Sequence, residues 1–298
     1  MDADISSGLR RFTAGGRAYR MAGAGRHDLY FRQIRGRFEP GFQAVCARAL
    51  APGAVAVDAG ANIGATALIM SAFVGAQGRV VALEPGPRSF ALLQRNLALN
   101  AAAAVTPLAL ALSAEPGRIS FCEDSAFGHL APGAPGLQAV QVETLDRIVE
   151  QQGLTRLDLL KIDTEGFEPQ VLEGARATIE RLAPVIYLEL NSWALIAHGR
   201  RDPLEFVAGL AAVFPWVLRV RRRGARTVLE KVEGTPDQIA AVLVSDNLAY
   251  FHALNDLVLL PGEAAAARFA DMIVPRASPI PTGPLRLVRS IGRRLAGP

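Results

Sequence analysis

The stretch Ala54-Val55-Ala56-Val57-Asp58-Ala59-Gly60-Ala61-Asn62-Ile63-Gly64 settles the architecture of this 298-residue chain. It opens with a short apolar run that does not alternate with polar residues, the pattern of a strand buried on both faces, and this run ends in the acid Asp58. Two glycines follow, and then an apolar helical pattern from about Ala65 to Val74. Glycines in such a turn let backbone approach a ligand where a Cβ would collide. A second apolar run, Arg79 to Glu84, completes a strand-helix-strand unit, so parallel strands joined by a crossover helix are expected.

The alternation continues outward. Pro87 suits the first turn of a helix that carries Phe90, Leu93 and Leu97 at helical spacing, and a strand follows near Val105 to Leu110. Ser113 to Gln138 is rich in Gly, Pro, Ala and Ser and reads as a loop, with one strand at Ile119 to Phe121. Then come a helix at Thr144 to Gln151, a strand at Leu157 to Ile162, a helix from about Gln170 to Leu182 and a strand at Val185 to Leu190. Beyond Trp193 the pattern gives a helix at Pro203 to Val213, strands at Val217 to Val220 and Thr227 to Lys231, a helix after Thr235 and a last strand at Asn247 to Ala253. The expected fold class is α/β, a mostly parallel sheet with helices on both faces. The expected organisation is a helical lead-in over residues 1–50, an α/β domain over 51–270 and a basic Pro/Arg-rich tail over 271–298, poorly ordered by composition.

With 50% hydrophobic and 20% charged residues the chain can bury a large core. Its net charge of +4 is spread widely, with arginines concentrated only at Arg219 to Arg226 and in the tail. The two cysteines, Cys46 and Cys122, form no Cys-X-X-Cys pair, and the four histidines (His27, His129, His198, His252) show no ligand spacing. Neither disulfides nor a metal are expected, and a reducing compartment, the cytoplasm, fits. Met1 to Arg20 mixes acids and arginines rather than forming an apolar signal core, and Leu97 to Leu112 is broken by Asn100, Thr106 and Pro107, short of the ~20 apolar residues of a spanning helix.

Three constellations carry chemistry. The Asp58 turn has Gly-X-X-X-Gly rather than the Gly-X-Gly-X-X-Gly that seats a dinucleotide pyrophosphate, which disfavours a nicotinamide enzyme. Asp58 at the strand end suits a ligand ammonium, or else caps the following helix. Glu84, at the end of the next strand, suits two ribose hydroxyls and would repel a 2′-phosphate. In Lys161-Ile162-Asp163-Thr164-Glu165-Gly166, charges break an apolar strand at its carboxyl end, where open α/β sheets place their sites. Burying them together is costly unless they pair or serve a ligand.

These three, with Arg95-Asn96-Leu97 to Asn100 and Glu143-Thr144-Leu145-Asp146, resemble the FkbM family of methyltransferases over roughly Val55 to Asn191. The resemblance implies a Rossmann-like class I methyltransferase fold, a seven-stranded sheet whose last strand is antiparallel, S-adenosylmethionine as cofactor, and O-methylation of a small-molecule, glycan, lipid-linked or natural-product hydroxyl. Carried over by position, Asp58, Gly60, Asn62 and Gly64 shape the methionine end of the cofactor pocket and Glu84 holds the ribose. Asp163, Glu165 and Lys161 face the reacting centre, with Asp163 the first candidate for general base and Glu165 the second. A sulfonium nearby would weaken either carboxylate as a base. His129 is an alternative base or an adenine-side contact. Glu189 and Asn191 either line the acceptor side or cap the next helix. Asp28 to Pro40, with Tyr30, Phe31, Arg35 and Glu39, closes over the acceptor or packs as a helix.

No Asn/Asp-Pro-Pro-aromatic run follows the fourth strand, so DNA amino groups are not the expected substrate. The Arg219 to Arg226 cluster lacks interleaved aromatics for stacking bases, so RNA is disfavoured too. The non-enzyme alternative is an inactive Rossmann-like scaffold that touches a membrane through the basic tail, Leu285 to Leu295.

Overall fold

The computed structural model describes residues 8–23, 29–123, 128–134, 137–249 and 255–276. Among the described residues nine strands form the central sheet, in the spatial order Ile273–Pro275, Arg226–Lys231, Trp216–Arg223, Asn255–Leu260, Val185–Leu190, Leu159–Ile162, Val55–Ala59, Arg79–Leu83 and Val105–Leu108. The last five of these are mutually parallel. Asn255–Leu260 is wedged antiparallel between Val185–Leu190 and Trp216–Arg223. That is the class I methyltransferase order, antiparallel last strand included, with Arg226–Lys231 and Ile273–Pro275 added at one edge. Chain order runs outward in both directions from Val55–Ala59, which leaves a crevice beyond the carboxyl ends of Val55–Ala59 and Leu159–Ile162.

The unbroken apolar strands follow from what covers them. Neighbouring residues on one strand enter different cores: Ala56, Val80, Leu159 and Val185 pack on one face with the helices Pro40–Ala49, Ala65–Val74 and Pro87–Leu99. Val57, Val81, Leu160 and Ile186 pack on the other with Leu145–Gln151, Pro203–Val213 and Pro236–Ala249. Ala65–Val74 is apolar nearly all round because it is enclosed by the sheet, by Pro40–Ala49 and by the N-terminal segment. Truncating the fully buried Leu68 in it would cost about 2–5 kcal/mol.

Four expectations need correcting. The lead-in opens with a hairpin, Arg10–Ala14 against Arg17–Met21, not a helix; the Gly15-Gly16 turn between alternating strands was its overlooked signal. Helices Leu29–Gln33 and Pro40–Ala49 follow. The segment read as one helix from Gln170 to Leu182 is two, Glu168–Glu173 and Arg176–Leu182, because Gly174 lies so close to the Ser113 carbonyl that an added Cβ would sit 2.2 Å from its oxygen. Gln138–Glu143, missed as a strand, joins Gly117–Cys122, His129–Leu130 and Ala111–Leu112 in a second sheet. The last strand of the core starts at Asn255, while Asn247 belongs to the preceding helix. The tail from residue 277 onward, with Leu285 to Leu295, lies outside the described residues. No described helix is long and apolar enough to cross a membrane.

Two motifs prove architectural. Asn96 is fully buried; its Oδ1 accepts from Ala22 N (2.7 Å) and its Nδ2 donates to Ile63 O (2.8 Å), so it bolts the hairpin to the turn after the first core strand. Asn100 exchanges hydrogen bonds with the backbone of Arg20. Thr144 caps its helix, and Asp146 accepts from Thr178 N (2.7 Å) at the start of Arg176–Leu182.

Candidate active site

A cavity of about 550 Å³, a size typical of small-ligand sites, opens at the crevice. It is lined by the Gly60 turn, Glu84, Ser89 and the small sheet's Phe121, together with Tyr30, Glu39, Lys161, Glu165, Glu189 and Asp256.

The Gly60 turn is shaped by its neighbours. Gly60 N and Ala61 N both donate to Leu83 O (3.0 and 2.9 Å), which ties the turn to the adjacent strand. Gly60 has φ +82°, and a Cβ there would lie 1.8 Å from Asp163 O, so two loops touch where only glycine fits. Asn62, at φ 48°, lines the cavity. Asp58 and Gly64 do not. Asp58 is wholly buried; one oxygen accepts from Thr66 Oγ1 (2.7 Å) and the other faces Lys161 Nζ (3.2 Å). Gly64 starts the helix Ala65–Val74 in a left-handed conformation, and a Cβ there would collide with Leu93.

Glu84 lines the cavity nearly buried. Its Oε2 accepts from Asn62 N (2.9 Å) and its Oε1 from Gly86 N (2.8 Å). Burial pushes its pKa up to about 7, against the pull of those two backbone donors. A buried carboxylate that is fixed by backbone and still lines the cavity fits a vicinal diol, whose hydroxyls donate to its remaining lone pairs.

Lys161 is the fixed cation. Its Nζ donates to Gly60 O (3.1 Å) and is ion-paired with Asp58 Oδ1 and Asp163 Oδ2, each at 3.2 Å. Burial opposes its charge, but Asp163 and Asp58 outweigh burial and hold its pKa above the ordinary lysine value. It pairs with neighbouring carboxylates and has no free proton-accepting role.

Around it lie more acids than the one ammonium can neutralise. Asp163, Glu165 and Glu189 each place a carboxylate oxygen within 4.8 Å of the others, a spacing that could hold a metal ion. The cluster holds only carboxylates, so the spacing of histidines and cysteines carries no sign of it. Glu165 sits at φ 52°, a strained position for a non-glycine residue. Its loop is braced by Glu168, which accepts from Thr164 N (2.9 Å), Thr164 Oγ1 (3.0 Å) and Gly166 N. Asn191 Nδ2 donates to Glu165 Oε2 (3.2 Å) while Asn191 Oδ1 caps Ser192–Ala197, so Asn191 lines the cavity and caps that helix at once. Burial, then Asp163 and Glu168, push Glu165 up to about 8. Burial, then Asp163 and Glu165, hold Glu189 well above the usual carboxylate range. Asp256 is pushed up to about 7, chiefly by burial.

Tyr187, Asp256 and Phe121 are lining residues that went unread in the sequence. Tyr187 was legible in principle, two residues before Glu189 and therefore on the same strand face. Asp256 was hidden by the misplaced last strand. His129 lines the cavity and stacks on His198 with ring centroids 3.7 Å apart.

Sheet order, the crevice beyond the strand ends and a buried acid, Glu84, lining it at the end of the second core strand define a class I methyltransferase, with S-adenosylmethionine as cofactor. The model of the Methyltransferase FkbM domain matches residues 58–198. The methyltransferase sdnD of Sordaria araneosa is 30% identical over 228 residues, which covers 62% of this chain and 79% of that one. The hexuronic acid methyltransferase AglP of Haloferax volcanii is 32% identical over 131 residues, 43% of this chain and 53% of that one. Among solved structures, a methyltransferase FkbM from Methylobacillus flagellatus aligns with 17% identity and a TM-score of 0.43, over 71% of this chain and 44% of that one. The chain belongs to the FkbM methyltransferase family.

Proposed function

We propose that the protein methylates a hydroxyl oxygen of a sugar, glycan, glycolipid or natural product, with Glu165 as the proton acceptor. The observation that carries this reading is the carboxylate cluster of Asp163, Glu165 and Glu189 beside Lys161, in the cavity that Glu84 also lines. A hydroxyl is a poor nucleophile until its proton has somewhere to go, and a base works best when its pKa lies near the working pH. Glu165, pushed up to about 8, meets that demand. Asp163, the first candidate from sequence, spends one oxygen on Lys161 and is better placed to orient the acceptor than to take its proton. The name of the Haloferax volcanii relative supports a sugar-type acceptor.

S-adenosylmethionine supplies an electrophilic methyl carbon on a sulfonium sulfur. Glu84 would hold the ribose, accepting from its two hydroxyls. The turn of Gly60 and Asn62 would bring backbone against the methionine part of the cofactor. Lys161 keeps the Asp58 turn and the Asp163 loop in register, which would hold acceptor and cofactor in a fixed relative position; such positioning is worth several kcal/mol.

The test is calorimetric titration with S-adenosylmethionine and S-adenosylhomocysteine, followed by a screen of hydroxylated glycans for methyl transfer. Glu84→Ala should lose cofactor affinity. Asp163→Asn and Glu165→Gln should keep it and lose transfer. A methyl group found on nitrogen or on a carboxylate of the product would overturn the hydroxyl assignment, and a folded wild type without cofactor affinity would overturn the reading as a whole.

A further inference from the structure

We infer that the catalytic edge of the sheet docks on the surface of an anionic lipid bilayer, through the arginine hairpin between Trp216–Arg223 and Arg226–Lys231 together with Trp193. Register places the hairpin. Arg219 pairs with Leu257, Leu257 with Leu188, Leu188 with Ile162, and Ile162 with Ala59 in one row across the sheet. Trp216–Arg223 and Val185–Leu190 both run antiparallel to Asn255–Leu260, so they point the same way, and Arg221, Arg222 and Arg223 extend beyond that row at the same edge as Asp163, Glu165 and Glu189.

The six residues from Arg221 to Arg226 are all exposed, and four of them are arginines: Arg221, Arg222, Arg223 and Arg226. Only Arg223 has an acidic partner among the described residues, Glu230 at 3.7 Å. Arg219, the buried member of the cluster, is already spent on Glu230 and Asp246. The fold therefore needs Arg219 and leaves the tip free for an external anion. The hairpin stands beside the cavity: helix Pro40–Ala49 packs against both of its strands, and Glu39, immediately before that helix, lines the cavity.

A free phosphate would satisfy the guanidiniums but not the second feature of this edge. Helix Ser192–Ala197, which leaves the carboxyl end of Val185–Leu190, exposes Trp193 (55%) and Ile196 (53%) three residues apart on one helical face. An indole and an aliphatic side chain in the open at the same sheet edge as the guanidiniums match an interface with headgroups outside and acyl chains beneath. Docked this way, the cavity mouth would face the membrane, suiting an acceptor attached to lipid.

The experiment is cosedimentation of the full chain with phosphatidylcholine vesicles, with and without about one third phosphatidylglycerol, alongside tryptophan emission. The expected result is binding to the anionic vesicles alone, lost near 0.5 M salt, with a blue shift that disappears in Trp193→Phe, where Trp216 is the remaining indole. Neutralising three exposed charges in Arg221→Gln/Arg222→Gln/Arg226→Gln should weaken binding roughly hundredfold, at about fivefold per charge, with S-adenosylmethionine affinity unchanged. Failure of the wild type to sediment overturns the inference. So does a triple variant that sediments like the wild type, which would assign binding to the basic tail instead. Cofactor affinity is read separately, so neither outcome depends on the methyltransferase reading.

Discussion

Lys161→Met isolates what holds the two halves of the site together. The ammonium stands 3.2 Å from an oxygen of Asp58 and 3.2 Å from one of Asp163, with Lys161 5% and Asp58 0% exposed at the side chain. At that separation and an effective dielectric near 20, each pair attracts by about 5 kcal/mol, most of it offset by the cost of taking the charges out of water. Removing the cation forfeits the attraction and leaves the desolvation, so the net loss should be about 4 kcal/mol, within the range for one partner of a buried pair. For a chain of this size that lowers the melting temperature by roughly 10 °C. Guanidinium unfolding followed by circular dichroism measures it. Adding Asp58→Asn to Lys161→Met should recover about half of the loss, because the wholly buried anion is then gone while Thr66 keeps an acceptor. A Lys161→Met protein within about 1 kcal/mol of wild type, or a double variant whose losses simply add, would refute the claim that Lys161 is held as a compensating buried cation.

Gly60→Ala should cost about 3 kcal/mol or more and abolish cofactor affinity, since its Cβ would meet Asp163 O at 1.8 Å; Gly16→Ala, with a similar positive φ and open space around it, should cost only about 1 kcal/mol in the same melting assay. Glu84 has a folded pKa raised from 4.5 to about 7, so the folded form binds the proton more tightly than the unfolded chain. Its contribution is therefore fully present below about pH 4.5 and lost as pH rises through 7, by roughly 3 kcal/mol at most, and Glu84→Gln should flatten that slope in apo-protein melting curves taken from pH 4.5 to 8. In Glu165→Gln, kcat should fall by at least about a hundredfold and lose its rise with pH in the range 6 to 8, while the cofactor Kd stays within a factor of two or so; a rise with pH kept intact would move the base to another carboxylate.

The core of the fold was written locally. Ala65–Val74, Val185–Leu190 and Pro203–Val213 stand at the residues expected from periodicity, because segments enclosed by other elements must be apolar throughout and their polar ends mark where enclosure stops. The Asp58 turn, Glu84 and the Lys161 to Gly166 run were legible for a related reason: charge at the end of an apolar strand costs free energy and so signals a purpose. What each charge does was not local. Asp58 and Gly64 look like cofactor contacts in the sequence, yet Asp58 faces Lys161 and Gly64 faces Leu93, because side-chain direction depends on which strand and helix lie alongside. Asn96 looked like part of a motif and turned out to join a hairpin 74 positions earlier in the chain. Asp256 and Tyr187 meet in the cavity wall only because Asn255–Leu260 inserts antiparallel beside Val185–Leu190, a pairing of distant segments that no spacing records. The raised proton affinities of Glu165, Glu189 and Asp256 belong to that assembly: each carboxylate is ordinary by itself, and only burial beside the others makes its charge costly.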